Sequence, residues 1–115
     1  MSVLIYHNPR CSKSRETLQL LREQGIEPEV VEYLKVSPSK PQLEQLLKML
    51  GLQPRELMRQ TESLYGTLGL DDSSLSREQL LDAMVAHPIL IERPVVVSGG
   101  KAVIGRPPQQ VLDIL

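Results

Sequence analysis

The sequence predicts an α/β fold built on a four-stranded mixed sheet, with a block of helices inserted between the two halves of that sheet. Three observations carry the expectation. A short β-branched run, Val3 to Tyr6, precedes a helical pattern and a second β-rich run, Glu29 to Tyr33, so strand, helix and strand form one right-handed βαβ unit. Residues of about 37 to 87 carry helical signals. Val95 to Val97 and Ala102 to Ile104 then flank Ser98-Gly99-Gly100-Lys101, where the Gly-Gly pair marks a tight antiparallel hairpin.

Taken in order, Val3 to Tyr6 is apolar and bounded by His7-Asn8-Pro9, which reads as a buried strand ending in a turn that Pro9 keeps from being helical. From Ser12 the pattern changes. Leu18, Leu20 and Leu21 sit among Arg15, Glu16, Gln19, Arg22 and Glu23, and Gly25 supplies a C-terminal stop. Ser39 and Gln42 have capping-box spacing ahead of Leu43, Leu46, Leu47 and Leu50, the i, i+3, i+4, i+7 pattern of an amphipathic helix. Gly51 ends that helix, and Pro54 opens a shorter one carrying Leu57, Met58 and Arg59. Between Tyr65 and Ser74 the signal falls to turns and one helical turn. Ser76 and Gln79 then cap a helix bearing Leu80, Leu81, Met84 and Val85, which stops at His87-Pro88. Pro107 and Pro108 suit the first turn of a last helix whose Val111, Leu112, Ile114 and Leu115 are expected to cover the sheet. A βαβ half, a helical insertion and a ββα half make the thioredoxin-like arrangement, expected as one domain over residues 1–115.

The 115 residues include no Phe or Trp and only three Tyr, so the core must be aliphatic. A formal net charge of -1 argues against a protein held to nucleic acid or anionic lipid by bulk electrostatics, so any anion site has to be local. No run approaches the roughly 18 apolar residues that a membrane span needs, and Met1 to Tyr6 lacks the basic start of a signal peptide. A lone cysteine makes no internal disulfide and is best kept reduced in the cytoplasm, where this chain is expected.

That cysteine, Cys11, opens the first helix, where exposed N–H groups and the positive end of the helix dipole favour thiolate over thiol. Arg10, Lys13 and Arg15 lie within four residues of it, and His7 stands close enough to assist by charge or hydrogen bonding. Cys11-Ser12-Lys13-Ser14 has Cys-x-x-Cys spacing with serine in the second place. Such a thiol forms a covalent adduct but needs an outside thiol to resolve it, leaving Ser14 to bond the sulfur or an oxyanion, or to serve as an ordinary first-turn residue. Arg93 and Arg106 each precede a proline at an element boundary, and with Arg59 they offer planar forks suited to a tetrahedral oxyanion. His87 reads as a helix C-terminal residue. No Cys, His and carboxylate cluster has metal-ligand spacing, and no glycine-rich phosphate loop is present.

The ordered set His7-Asn8-Pro9-Arg10-Cys11-Ser12-Lys13-Ser14-Arg15, Glu56-Leu57-Met58-Arg59-Gln60, His87 to Val97 and Ile104-Gly105-Arg106-Pro107-Pro108 resembles the glutaredoxin-coupled arsenate reductases over essentially the whole chain. The resemblance implies that Cys11 is the nucleophile, that Arg59, Arg93 and Arg106 bind the oxyanion, and that His7 and Ser14 assist the thiolate. It also implies a cis peptide before Pro94, glutathione as co-substrate with no tightly bound cofactor, glutaredoxin as partner, and a monomer. Arsenate would join Cys11, glutathione would add to the arsenic, and glutaredoxin would then attack the glutathione sulfur. Two other readings remain: a Spx-type transcription regulator that binds RNA polymerase, which usually has Cys-x-x-Cys and lacks His-Asn-Pro, and a monothiol redox protein acting on another oxyanion or disulfide.

Overall fold

Strands β1 (Val3–Tyr6), β2 (Glu29–Val31), β3 (Val95–Ser98) and β4 (Lys101–Ile104) form a four-stranded sheet in the order β2-β1-β3-β4 in a computed structural model that describes residues 2–115. Met1, the first residue of the expected domain, lies outside the described residues. β1 pairs in parallel with β2 and antiparallel with β3, and β3 pairs antiparallel with β4, so the sheet is mixed as expected. The second strand stops at Val31, shorter than the run to Tyr33. Gly99 and Gly100 both have positive φ, 57° and 79°, the conformation a two-residue hairpin of this twist demands.

The chain divides into two compact units, Met1–Val36 with Arg93–Leu115, and Ser37–Glu92. In the first, helix α1 (Ser12–Glu23) buries Ser14, Thr17 and Leu21 on one face. Leu21 joins Val3, Ile5, Val96 and Val111 in an aliphatic core, with Leu18, Ile26, Val103 and Ile114 packed around it. Removing from water a side chain of this size contributes about 1.5–3 kcal/mol, so the strand faces and the α1 stripe hold each other in place.

The last helix differs from expectation. Pro108–Ile114 is a 3-10 helix, whose three-residue repeat stacks Pro108, Val111 and Ile114 on the inner face and leaves Leu112 and Leu115 about two-fifths exposed. An α-helical reading would have brought those leucines onto the sheet.

The second unit contains α2 (Lys40–Leu50), α3 (Ser63–Thr67) and α4 (Arg77–Ala86), with 3-10 turns at Pro54–Leu57 and Pro88–Leu90. Both expected capping boxes form, at Ser39 with Gln42 and at Ser76 with Gln79, and Gly51 ends α2 with φ 69°. Lys40 on α2 pairs with Glu78 and Asp82 on α4, and Arg77 with Glu44. The Pro54 helix ends at Leu57. Met58, in extended conformation, instead pairs with Ile91 as an isolated bridge, and Arg59 lies beyond the helix.

Gly105 closes the end of β4 against α1 and Pro94. A Cβ there would stand 2.8 Å from Thr17 Oγ1 and 2.9 Å from Pro94 Cγ, so only glycine fits without displacing one of them. Gly105→Ala is expected to lose about 1–3 kcal/mol in urea unfolding. Gly66→Ala, with nothing within 4 Å of its added carbon, should stay within about 1 kcal/mol of wild type.

Candidate active site

The strand directions bring several loops to one end of the sheet. β1 and β2 run parallel, so the turn after β1 and the segment after β2 leave at the same end. β3 runs against them and therefore starts there, preceded by Arg93-Pro94, and β4 finishes there at Gly105-Arg106. Both Arg93-Pro94 and Arg106-Pro107 are cis, the first as expected and the second not foreseen.

Asn8 organises the turn that carries the sulfur. Its carbonyl accepts the Cys11 N–H, its Oδ1 accepts the Arg10 N–H, and its own N–H donates to Ser14 Oγ, each at 3.0 Å. Arg15 Nη1 donates to the Pro9 carbonyl at 2.9 Å. Cys11 then takes the N-cap position of α1 in extended conformation, its carbonyl accepting the Arg15 N–H at 3.0 Å. Here the first N–H groups of the helix have no carbonyl partners.

Cys11 is 8 % exposed. Burial by itself pushes the thiol up, because it disfavours the charged form. The Ser14 N–H, the charge and hydrogen bonding of Arg93, and the Lys13 N–H together outweigh it, and the thiol is held below its ordinary value. The two N–H groups favour the thiolate without closing a cap bond of ordinary geometry. Arg106 completes the surroundings: Nη2 donates to Cys11 Sγ at 3.7 Å, while Nε donates to the Arg93 carbonyl at 2.8 Å.

Arg93 Nε and Nη1 are buried without a hydrogen-bond partner. Neither Arg93 nor Arg106 has an ion-pair partner among the described residues. A buried donor left unbonded costs about 1–3 kcal/mol, more when it is charged, a cost that an anionic ligand accepting from these atoms would remove. A nucleophile below two permanently charged forks can receive a tetrahedral oxyanion and attack its central atom.

His7 and Ser14 bond each other rather than both facing the sulfur. His7 Nδ1 and Ser14 Oγ lie 2.6 Å apart, and Ser14 Oγ also accepts the Asn8 N–H. Burial lowers the His7 pKa, with Arg22 and Arg15 adding to the effect and Glu32 opposing it, which favours the neutral ring. With the ring proton on Nε2, the Ser14 O–H donates to Nδ1. The His7–Ser14 bond fixes the first turn of α1, and Ser14 reaches the sulfur through its backbone N–H. The roles of Asn8 and Gly105 were not singled out in the sequence, although the Asn-Pro turn offered a signal for the first.

Arg59 belongs to the second unit. Its Nη1 pairs with Glu62 at 3.0 Å and its Nε with Glu92 at 3.4 Å, and its backbone N–H donates to the Leu90 carbonyl at 2.7 Å. The two carboxylates hold the fork and leave Nη2 outside both ion pairs. Among the described residues, no group of three or more His, Cys, Asp or Glu could hold a metal ion, and no helix is long and apolar enough to cross a membrane.

Residues 6–114 match the model of the ArsC family. The chain is 63 % identical over 114 residues to the uncharacterized protein YfgD of Escherichia coli K12, covering 98 % of this chain and 96 % of that one. It is 51 % identical over 116 residues to an arsenate reductase of Haemophilus influenzae, covering both chains fully. A solved structure described as arsenate reductase from Vibrio cholerae superposes with a TM-score of 0.98 at 59 % identity, over 100 % of this chain and 98 % of that one.

The rate of Cys11 alkylation by iodoacetamide should follow a thiolate titrating below the ordinary value of about 8.5. Arg93→Ala removes a stabiliser of the charged form, so its midpoint should move up and its rate at pH 7 should fall. An unchanged profile would remove Arg93 from the activation of the thiol.

Proposed function

The chain belongs to the ArsC family, and from that premise we propose that it reduces arsenate to arsenite with glutathione and glutaredoxin as its sources of electrons. The supporting observation is the pair of buried, unbonded donors on Arg93 beside Cys11. Arsenate is a tetrahedral oxyanion, and its oxygens can satisfy those donors while Arg106 bonds another. Relatives named arsenate reductase support the choice of arsenic over other tetrahedral centres.

The Cys11 thiolate attacks arsenic, a sulfur–arsenic bond forms, and one oxygen leaves as water after protonation. Arg93 and Arg106 lose an attractive thiolate but keep their charges opposite the oxygens. The thiol of glutathione then adds to arsenic with loss of a second water. Glutaredoxin's thiolate attacks the glutathione sulfur. The glutathione sulfur–arsenic electron pair stays on arsenic, which falls from arsenic(V) to arsenic(III), while the two outside thiols become one mixed disulfide. Water displaces arsenite from Cys11 and restores the thiol. Ser14 in place of a second cysteine is why the electrons come from outside: one thiol alone cannot close a disulfide. Arg59 joins the oxyanion residues on the family resemblance, with Glu62 and Glu92 orienting it.

An NADPH-coupled assay containing glutathione, glutathione reductase, glutaredoxin and arsenate should show turnover that Cys11→Ser abolishes. Arg93→Ala and Arg106→Ala should each lower kcat/KM for arsenate by about tenfold or more, the loss of one charge-assisted bond of about 1.5–3 kcal/mol. Arg77→Ala, which removes exposed contacts with Glu44 and Gln53, should stay within about twofold. No arsenate-dependent NADPH use by wild type would overturn the reading.

A further inference from the structure

A cavity of about 280 Å³ lies on the flank of the Cys11 turn away from the arginines, lined in part by Pro9, Arg10, Glu32, Leu34 and Lys35. Its position follows from the sheet. Arg93 and Arg106 adjoin β3 and β4, whereas this cavity is formed by the segments that follow β1 and β2. The β1–α1 turn, which Asn8 ties to the Cys11 N–H, separates the two.

The lining has a particular charge pattern. Arg10 is exposed, and its guanidinium has no ion-pair partner among the described residues. Glu32 shares its carboxylate with Lys35 at 3.5 Å, on side chains 39 % and 76 % exposed. Pro9 and the two-fifths-exposed Leu34 add apolar surface. A simple anion would meet Glu32, and a simple cation would meet Arg10. A ligand end carrying both an ammonium and a carboxylate on one carbon satisfies both, and a short methylene chain suits the apolar part.

We propose that this cavity binds the γ-glutamyl end of glutathione, its α-carboxylate on Arg10, its α-ammonium on Glu32 and its methylenes against Pro9 and Leu34. The thiol, one residue further along, then reaches across the turn to arsenic held on Cys11. The inference rests on the proposed use of glutathione, and it assigns the co-substrate a place separate from the oxyanion's.

Two measurements test it. In ¹⁵N-resolved NMR, S-methylglutathione, which has no free thiol and needs no arsenate, should shift the Arg10, Glu32, Leu34 and Lys35 amides, with binding weakened about fivefold or more in Arg10→Gln and in Glu32→Gln. In the coupled assay, the same variants should raise the KM for glutathione about fivefold or more and leave the KM for arsenate unchanged. γ-Glutamylcysteine should behave as glutathione does, while cysteinylglycine should no longer distinguish wild type from the variants. Circular dichroism establishes that each variant is folded. Shifts confined to other residues, no binding by S-methylglutathione, or a wild-type glutathione KM in both variants would overturn the proposal. Absence of arsenate turnover in wild type counts against the proposed reaction alone, because the NMR titration reads the cavity without it.

Discussion

A guanidinium kept from water beside a thiol, with two of its own donors unbonded, is the constraint on which the candidate site depends. Arg93 is the cation that counters the burial of Cys11, and the Cys11 thiolate is the negative charge available to it in the free protein. Each favours the other: Arg93 joins the Ser14 and Lys13 N–H groups in opposing the burial of the sulfur, and the thiolate gives the fork a counter-ion. An oxyanion of the kind proposed for this site would take the place of the thiolate as partner to that fork.

Sheet polarity converts that local need into an assembled site. Parallel β1 and β2 and antiparallel β3 and β4 send the Cys11 turn, the segment after β2, Arg93 and Arg106 to the same end. The close approach is then set by small features. Gly105 lets the end of β4 lie against Thr17 and Pro94, and the Arg93 carbonyl holds Arg106 Nε so that its other end reaches the sulfur. A larger residue at position 105 would move the backbone that carries Arg106.

The charges nearest Cys11 in sequence serve other ends. Lys13 pairs with Glu16 on the surface, Arg15 ties down the Pro9 carbonyl, and Arg10 faces the cavity on the other flank. Residues 82 and 95 positions away supply the forks that face the sulfur instead. On the first turn of α1 Ser14 is buried while Lys13 and Arg15 lie on the exposed side, so those cations face solvent, whereas Arg93 and Arg106 arrive from the segments flanking β3 and β4. The His7–Ser14 bond ties the end of β1 to the first turn of α1.

Strand–helix–strand order, both capping boxes, the Gly99-Gly100 hairpin and the placement of Cys11 at a helix start were legible in the sequence because each depends on backbone preferences and hydrophobic period over a few residues. The missing second cysteine was legible too. The 3-10 form of Pro108–Ile114, the end of the Pro54 helix before Met58 and Arg59 and the outward turn of Leu112 and Leu115 were not, since packing against neighbours selects among helical periods that the sequence permits. The sequence by itself determined where the lone thiol sits and on what kind of scaffold. Only the tertiary structure decided which charges act on it, because burial and the direction of a guanidinium depend on segments that meet after the sheet has formed.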